Sequence, residues 1–177
     1  MWTERERAYV ERARVGRLAT ADADGRPHVV PICVAIVDGD LVTPIDEKPK
    51  QVTPEALRRS RDVAENPHVA VVFDHYSEDW SRLGWVQVRG TATLVKPGEQ
   101  GEQGEPREPG EQGEPPEQEE QGQPREKGEQ GEQGEDRHGT GVGALRRKYD
   151  QYADHDLERR PLIWIETGSV RSWGALE

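Results

Sequence analysis

Residues 28–45, with the sequence HVVPICVAIVDGDLVTPI, decide the fold. Two runs of aliphatic residues, 28–37 and 40–45, are separated by Asp38 and Gly39, a pair that strongly favours a tight β-hairpin. Pro31 interrupts the first run, which indicates an edge strand, a bulge or a close ligand approach, because proline cannot donate to a strand ladder. The stretch therefore predicts two antiparallel strands joined by a two-residue turn.

The residues before this stretch predict a helix and one more strand. Thr3 and Glu6 have the spacing of a capping box at the start of a short helix. VGRLATA, residues 15–21, predicts the first strand, and Gly25 supplies positive φ for the turn that follows. The three strands together form a meander.

The residues after the stretch predict a helix and two strands. Thr53 is placed to cap a helix with Pro54 at its first position, and the helix is expected to end near Asn66. HVAVVFDH, residues 68–75, predicts a fourth strand. WVQVRGTATLV, residues 85–95, predicts a long fifth strand with a bend or bulge at Gly90.

The C-terminal part predicts one helix and one strand. Helical spacing places four apolar or aromatic residues on one side and three basic residues on the other: Val142, Leu145, Tyr149 and Tyr152 against Arg146, Arg147 and Lys148. PLIWIET, residues 161–167, predicts the sixth strand, and SVRSWG closes the chain. Trp80 and Trp164 are predicted to be structural.

Hairpin connections dominate this order of elements. They predict a mainly β fold with flanking helices, an antiparallel barrel rather than a parallel nucleotide-binding sheet. The sequence contains neither a G-x-G-x-x-G motif nor a Walker loop.

Residues 98–136 differ from the rest of the chain in composition. The chain has a formal net charge of −11. This segment holds 14 acidic and 3 basic residues and no apolar residue, whereas the remainder has 21 of each charge. Such a segment is predicted to be a disordered, low-complexity insert, serving either as an interaction segment or as a tolerated loop expansion. Residues 1–97 and 137–177 are then one domain, and bulk charge gives no reason to expect nucleic acid or a membrane as partner.

Conventional catalytic and metal-binding patterns do not emerge from the sequence. Cys33 is the only cysteine, which excludes an intrachain disulfide, and its apolar surroundings predict packing rather than nucleophilic chemistry. No histidine pair has metal-site spacing, so no metal is predicted. The charged N-terminal stretch has no signal-peptide core, and a soluble cytoplasmic protein is expected.

Lys48, Lys50 and the helix after them form the candidate binding feature. The two lysines flank Pro49, directly after the third strand. Helix N-termini bind phosphate through unpaired N–H groups, and basic side chains add charge-assisted hydrogen bonds. The pattern leaves two interpretations open: a solvated charged loop, which is the common outcome for such a run, and a clamp for a phosphorylated ligand.

GRLATADADGRPHVVPICVAIVDGDLVTPIDEKPK, NPHVAVVFDHY, WSRLGWVQVRGTATLV and the terminal VRSW together resemble the pyridoxamine-phosphate-oxidase-like flavin-binding family. The branch they resemble uses the deazaflavin coenzyme F-420. The resemblance covers about residues 10–96 and 142–175. It implies a split antiparallel β-barrel (the FMN-binding split barrel) that forms a homodimer, with the cofactor in a groove between the subunits.

The resemblance also implies which residues bind. It places Lys48 and Lys50 at the phosphate, with Arg58 as a helper, and two strand segments at the cofactor: Pro31, Ile32 and Val34, then Val42 and Thr43. Trp85, Gln87 and Arg89 lie on a strand that reaches the partner's site in such dimers. Arg171 and Trp173 lie near the substrate side. Gly84 stands where the branch often has a second aromatic residue.

These observations predict a flavin- or deazaflavin-dependent oxidoreductase that exchanges hydride with a small organic substrate. No side chain stands out as an acid or base, which agrees with chemistry carried by the cofactor. Coenzyme F-420 is preferred over FMN, because basic residues around a groove suit its longer acidic tail. The alternative is a non-catalytic flavin or haem carrier with the same fold.

Overall fold

The computed structural model describes residues 1–45, 57–98 and 136–176. In chain order its helices and strands are α1 (Glu4–Arg12), β1 (Gly16–Ala21), β2 (Pro27–Ile32), β3 (Ala35–Val37), β4 (Asp40–Pro44), α2 (Arg58–Glu65), β5 (His68–His75), β6 (Gly84–Val95), α3 (Arg137–Lys148) and β7 (Leu162–Gly174). Short 3₁₀ helices cover Trp80–Arg82, Asp150–Tyr152 and Leu157–Arg159. The predicted insert lies almost entirely outside the described residues.

The strands form one antiparallel sheet in the order β2-β1-β5-β6-β7-β4-β3. With three α-helices beside the sheet, this is the predicted split-barrel architecture. One hydrophobic cluster packs the inner side chains of β1, β5 and β6 with α1, and a second packs α3 against β3, β4 and β7. The sheet therefore has two apolar regions, with β4 and β7 contributing to both.

The hairpin at Asp38 and Gly39 is confirmed. Both residues have positive φ, 50° and 95°, and the strands pair from Ala35 with Val42 to Val37 with Asp40. The strand predicted over 28–37 is two strands instead, β2 and β3. The break falls at Cys33 and Val34, not at Pro31, which stays within edge strand β2.

The predicted irregularity at Gly90 is confirmed as a shift in the β6–β7 register. Arg89 pairs with Ser169 but Gly90 pairs with Thr167, so the intervening Gly168 is the extra residue. A Cβ atom at Gly90 would lie 2.0 Å from the carbonyl oxygen of Glu166. Glycine is needed here because the two backbones approach too closely for a side chain.

The predicted helix starts are confirmed in one case and wrong in the other. The capping box is present in α1, where the Thr3 side chain accepts from the Glu6 N–H. The second helix ends beside Asn66 as predicted, but it begins at Arg58 after an extended Leu57. Thr53 and Pro54 lie outside the described residues.

Only part of one side of the sheet, over β1, β2, β5 and the paired residues 84–89 of β6 and 169–174 of β7, has no described helix packed on it; farther along the same side, α3 packs against Val42, Leu162 and Trp164. Because side chains alternate along a strand, residues whose neighbours are buried in the core point to the opposite side. We call this uncovered part the outer face, and its members include Arg17, Val29, Pro31, Val72, Asp74, Trp85, Gln87, Arg89, Arg171 and Trp173. Val29 and Trp173 are 59% and 56% exposed. Within the described residues, no helix is long and apolar enough to cross a membrane.

Candidate functional site

A cavity of about 130 Å³ lies where β2 and β4 end, beside the first turn of α2. It brings together residues from five separate parts of the chain: Val15, Pro31, Ile32, Cys33, Thr43, Pro44, Arg59 and Tyr152. Three of these, Pro31, Ile32 and Thr43, are predicted cofactor-binding residues. The cavity is therefore the candidate site.

Thr43 lines the cavity and carries a buried hydroxyl that is unsatisfied among the described residues. Its side chain is 1% exposed, and Oγ1 has no hydrogen-bond partner among the described residues. A buried hydroxyl left without a partner costs about 1–3 kcal/mol. A polar ligand atom that reached this hydroxyl would remove this cost.

Arg59 supplies a positive charge to the cavity from the first turn of α2. Leu57, at the N-cap, has no side-chain acceptor for the N–H groups of this turn. The Ser60 and Arg61 N–H groups donate to the Leu57 carbonyl at 2.9 and 3.1 Å. The positive end of the helix dipole favours an anion near this turn. Arg59 and the helix start thus provide the electrostatic features that a phosphate group requires.

Arg58, the predicted helper, is directed elsewhere. Its guanidinium lies 4.0 Å from an Asp22 oxygen and 3.9 Å from an Asp62 oxygen. Asp62 is 2% exposed and accepts a hydrogen bond from the Thr20 hydroxyl at 2.6 Å. The buried carboxylate therefore holds Arg58 on the β1 side of α2, and Arg59 is the arginine on the cavity.

Two further basic residues, Arg14 and Lys148, lie over the ring of Tyr149 rather than on the cavity wall. Lys148 Nζ donates to the carbonyl oxygen of Val10 at 2.9 Å, and burial, assisted by the nearby Arg14, lowers the pKa of Lys148 to about 8. The cavity wall itself contains no carboxylate among the residues that the structure describes. Arg59 is therefore the charged group on the described part of the wall. Helical spacing predicted that Lys148 points away from the protein, which is wrong because its ammonium reaches back to α1.

Tyr149 fixes the backbone at the cavity edge. Val34 N–H donates to the Tyr149 hydroxyl at 3.0 Å, and that hydroxyl lies 3.1 Å from the carbonyl oxygens of both Val34 and Arg14. Burial raises the pKa of Tyr149, so its hydroxyl keeps its proton at neutral pH. These bonds hold the backbone between β2 and β3, and with it Cys33, in one position.

The family model described as pyridoxamine 5'-phosphate oxidase matches residues 2–126. The chain belongs to this family. The match spans β1 to β6 and includes Pro31, Ile32, Thr43 and Arg59 of the cavity. A search of curated proteins finds no match.

Solved structures of other proteins share this family fold. A conserved hypothetical protein from Mycobacterium tuberculosis has a TM-score of 0.61 and 16% identity, over 98% of this chain and 86% of that one. A heme binding protein from Mycobacterium smegmatis has a TM-score of 0.61 and 15% identity, over 97% of this chain but 53% of that one. The heme storage protein HutZ from Vibrio cholerae has a TM-score of 0.57 and 13% identity, over 98% and 95%. Proteins with the pyridoxamine-phosphate-oxidase fold therefore include haem binders as well as the oxidases.

The other predicted site residues of this family member lie in three places. Val34 and Val42 are fully buried in the two hydrophobic clusters, so only their backbones are available to a ligand. Trp85, Gln87, Arg89, Arg171 and Trp173 lie on the outer face. Lys48 and Lys50 lie outside the described residues.

The structure explains why glycine stands at position 84 in this member of the family. A Cβ atom there would lie 2.0 Å from the carbonyl oxygen of Ala175, and the Gly84 carbonyl accepts from the Tyr9 hydroxyl at 2.8 Å. An aromatic side chain at this position would require the C-terminal backbone to move. The outer face instead carries the cross-strand pair of Trp85 and Trp173.

Sequence reasoning missed Val15, Cys33, Pro44, Arg59 and Tyr152 of the cavity. The spacing of Arg58 and Asp62 could have identified Arg59. Residues four apart on a helix favour an ion pair, which would occupy Arg58. Pairing Arg58 with Asp62 leaves Arg59 about 100° away around the helix, on a different side. Cys33 was predicted to pack within a strand. It does pack against the second hydrophobic cluster, but it lies between two strands and also lines the cavity.

Proposed function

We propose that the protein is an oxidoreductase that uses a flavin or deazaflavin cofactor, with coenzyme F-420 preferred over FMN. The observation that carries the proposal is the buried, unpartnered Thr43 hydroxyl in a cavity that Arg59 also lines. A phosphate group of the cofactor would accept hydrogen bonds from both side chains. This satisfies the hydroxyl and places an anion beside the cationic wall.

The predicted lysine clamp is consistent with this placement. Thr43 lies near the end of β4, and Arg59 lies at the start of α2. Lys48 and Lys50 are in the segment that connects these two elements. We propose that they bind the same phosphate, because both ends of their connecting segment lie at the cavity.

The character of the cavity favours a phosphate-bearing cofactor over haem. Haem iron in proteins is held by His, Cys, Met or Tyr side chains. Among the described cavity residues, Cys33 and Tyr152 are the ones with such atoms, and the described wall contains no histidine or methionine. The wall combines a cation and a hydroxyl instead, which are the groups that bind phosphate.

The preference for coenzyme F-420 rests on charge. Arg59 lines the cavity, Arg14 directly precedes Val15 of its wall, and Arg14 and Lys148 lie over the Tyr149 ring. The tail of the deazaflavin is longer and more acidic than that of FMN. A site with several cations and no carboxylate on its described wall would stabilise the longer acidic tail more than a single phosphate.

We propose that the homodimer forms through the outer face. Pro31 belongs to this face and also lines the cavity, so a second copy bound there would lie beside the cavity mouth. Trp85, Gln87 and Arg89 would then reach the partner's cofactor, and Arg171 and Trp173 would lie on its substrate side. The half-exposed apolar side chains of Val29 and Trp173 support burial of this face.

The cofactor would supply hydride chemistry when bound, and the protein would supply binding and orientation. Thr43 and Arg59 anchor the phosphate, and Pro31 and Ile32 form an apolar wall at the other side of the cavity. The described wall contains no histidine or carboxylate to act as general acid or base. The residues named here are therefore binding residues, and we assign no catalytic side chain.

A fluorescence titration with FMN and with coenzyme F-420 tests the proposal. We expect both to bind, with the dissociation constant for coenzyme F-420 at least roughly tenfold lower, a difference of about 1.4 kcal/mol. A reduced-cofactor oxidation assay with small organic acceptors then tests turnover. Submicromolar binding of FMN without binding of the deazaflavin would refute the preference. Binding without turnover would favour the carrier alternative, and haem binding with no flavin binding would refute the proposal.

A further inference from the structure

The single cysteine of the chain has an unusual environment for a packing residue. Cys33 directly follows β2, is half-buried, and lines the cavity. The contact recorded for its sulfur is Gln151 Nε2 at 3.5 Å, from an exposed side chain. Its thiol is therefore open to a molecule that enters the cavity.

Charged groups around Cys33 are mostly basic. Lys148 interacts electrostatically with Cys33 and with Arg14, and Arg59 lies on the same cavity wall. Glu11 is the acidic residue that also influences Lys148. Reactive cysteines occur in such electropositive, partly exposed environments, because the thiolate is the nucleophile and positive charge stabilises it.

Thr43 gives independent evidence that the cavity receives a polar ligand. Its hydroxyl is 1% exposed and has no partner among the described residues, although it lies on the wall that Cys33 shares. A ligand that carries an anionic group would hydrogen-bond to Thr43 and be attracted by Arg59. Such a ligand would bring any electrophilic atom close to Cys33.

We propose that Cys33 is a modification site that forms a reversible mixed disulfide with small anionic disulfides. The Cys33 thiolate attacks one sulfur of the disulfide, a new S–S bond to Cys33 forms, and the original S–S bond breaks. The departing thiolate takes up the proton that Cys33 released. Cys33 is oxidised to the mixed disulfide while the departing half of the incoming disulfide is reduced to a thiol, so no external oxidant is needed.

The modification would also regulate cofactor binding, a consequence that rests on the proposed function. A mixed disulfide would extend from Cys33 into a cavity of about 130 Å³. A ligand fragment of a few heavy atoms fills such a volume, so the adduct and a cofactor phosphate would compete for Thr43 and Arg59. Reduction of the disulfide would restore the site.

The test compares three disulfides of similar size and different charge: dithiodiglycolate (anionic), hydroxyethyl disulfide (neutral) and cystamine (cationic). Adduct formation is followed by intact-protein mass spectrometry without cofactor, on the folded protein and on the chain unfolded in guanidinium chloride. We expect the anionic-to-cationic rate ratio to be at least about tenfold higher in the folded protein at low salt. An equal ratio in both states, or a folded protein that reacts with none of the three, would overturn the proposal.

Variants make the comparison specific. Cys33→Ala should form no adduct. Lys148→Met should lower the anionic-to-cationic ratio toward that of the unfolded chain, whereas Lys96→Met, which replaces a lysine that does not line the cavity, should leave it unchanged. Equal effects from the two lysine variants would contradict the local origin of the selectivity.

A second arm separates this proposal from the proposed function. The adduct of dithiodiglycolate is titrated with FMN and coenzyme F-420, and we expect at least a tenfold loss of affinity that dithiothreitol reverses. If the unmodified protein binds neither cofactor, the proposed function fails while charge-selective modification of Cys33 stands. If cofactor binds and no charge-selective adduct forms, the Cys33 proposal fails alone. Unchanged affinity of the adduct would refute the regulation.

Discussion

Arg59→Ala should weaken cofactor binding by roughly 10- to 100-fold, whereas Arg58→Ala should leave it within about twofold. A hydrogen bond to a charged group contributes about 1.5–3 kcal/mol, and each 1.4 kcal/mol is a factor of ten in affinity. Arg59 lines the cavity, whereas Arg58 pairs with Asp22 and Asp62. Fluorescence titration of both variants with the cofactor that binds the wild-type protein measures the difference.

The two arginines are a matched pair, because they are neighbours on the same helix and the substitution is identical. Arg58→Ala is expected to cost some stability, since it leaves the buried Asp62 without its cation. Thermal melts without cofactor therefore accompany the titrations. A larger affinity loss in Arg58→Ala than in Arg59→Ala would show that the sequence-based choice of Arg58 is correct and that the cavity is misassigned.

Trp173→Asp should convert the proposed dimer to a monomer. A carboxylate placed beside Trp85 in the interface would lose its hydration on dimerisation, and we expect the dimer dissociation constant to rise by at least about 100-fold. Trp173 is 56% exposed beside Trp85 on the outer face. Sedimentation equilibrium over a range of protein concentrations measures the change.

Trp80→Asp is the control for this prediction. Trp80 is 78% exposed in a short 3₁₀ helix after β5, rather than on a strand of the outer face. Its substitution should leave the dimer intact. Since the outer face is proposed to complete the partner's site, Trp173→Asp should also weaken cofactor binding at concentrations where it is monomeric. A wild-type protein that is monomeric at all concentrations would refute the dimer.

Local signals made most of the fold predictable. The hairpin at Asp38 and Gly39 depends on two adjacent residues with positive φ, and the capping box of α1 depends on residues three apart. Strand β5 matches its predicted bounds because alternation and turn residues define both ends. Trp164, predicted to be structural, is 5% exposed and donates to Asp40 at 2.9 Å.

The wrong structural predictions arose where contacts between residues far apart in the sequence override the local sequence pattern. Residues 28–37 look like one strand, but the Tyr149 hydroxyl binds both backbone groups of Val34, and this contact joins residues 115 apart. The break that it creates places Cys33 on the cavity. Lys148 turns inward because it finds the Val10 carbonyl on α1. Neither contact can be predicted from the residues near it in the sequence.

Only part of the candidate site was predicted, because its remaining residues are brought together by long-range packing. Pro31, Ile32 and Thr43 were predicted from the resemblance, and the structure places all three on one cavity. The side of α2 that faces this cavity depends on how the helix packs against β1 and β6, which the sequence does not specify. Trp80, predicted to be structural, is instead largely exposed, because aromatic residues in a loop give no periodicity from which burial can be inferred.

The most direct test of the central claim is the thermal stability of Thr43→Val with and without cofactor. Valine keeps the shape of threonine and removes the unpartnered hydroxyl, so the cofactor-free variant should be more stable than the wild type by about 1 kcal/mol. The stabilisation that saturating cofactor adds should fall in the same variant, since a hydrogen bond to the phosphate is lost. Thr20→Val, which removes a hydroxyl that donates to Asp62 at 2.6 Å, should instead destabilise the protein and leave cofactor binding unchanged. If Thr43→Val destabilises the cofactor-free protein, or binds cofactor as tightly as the wild type does, then the cavity does not hold the cofactor phosphate.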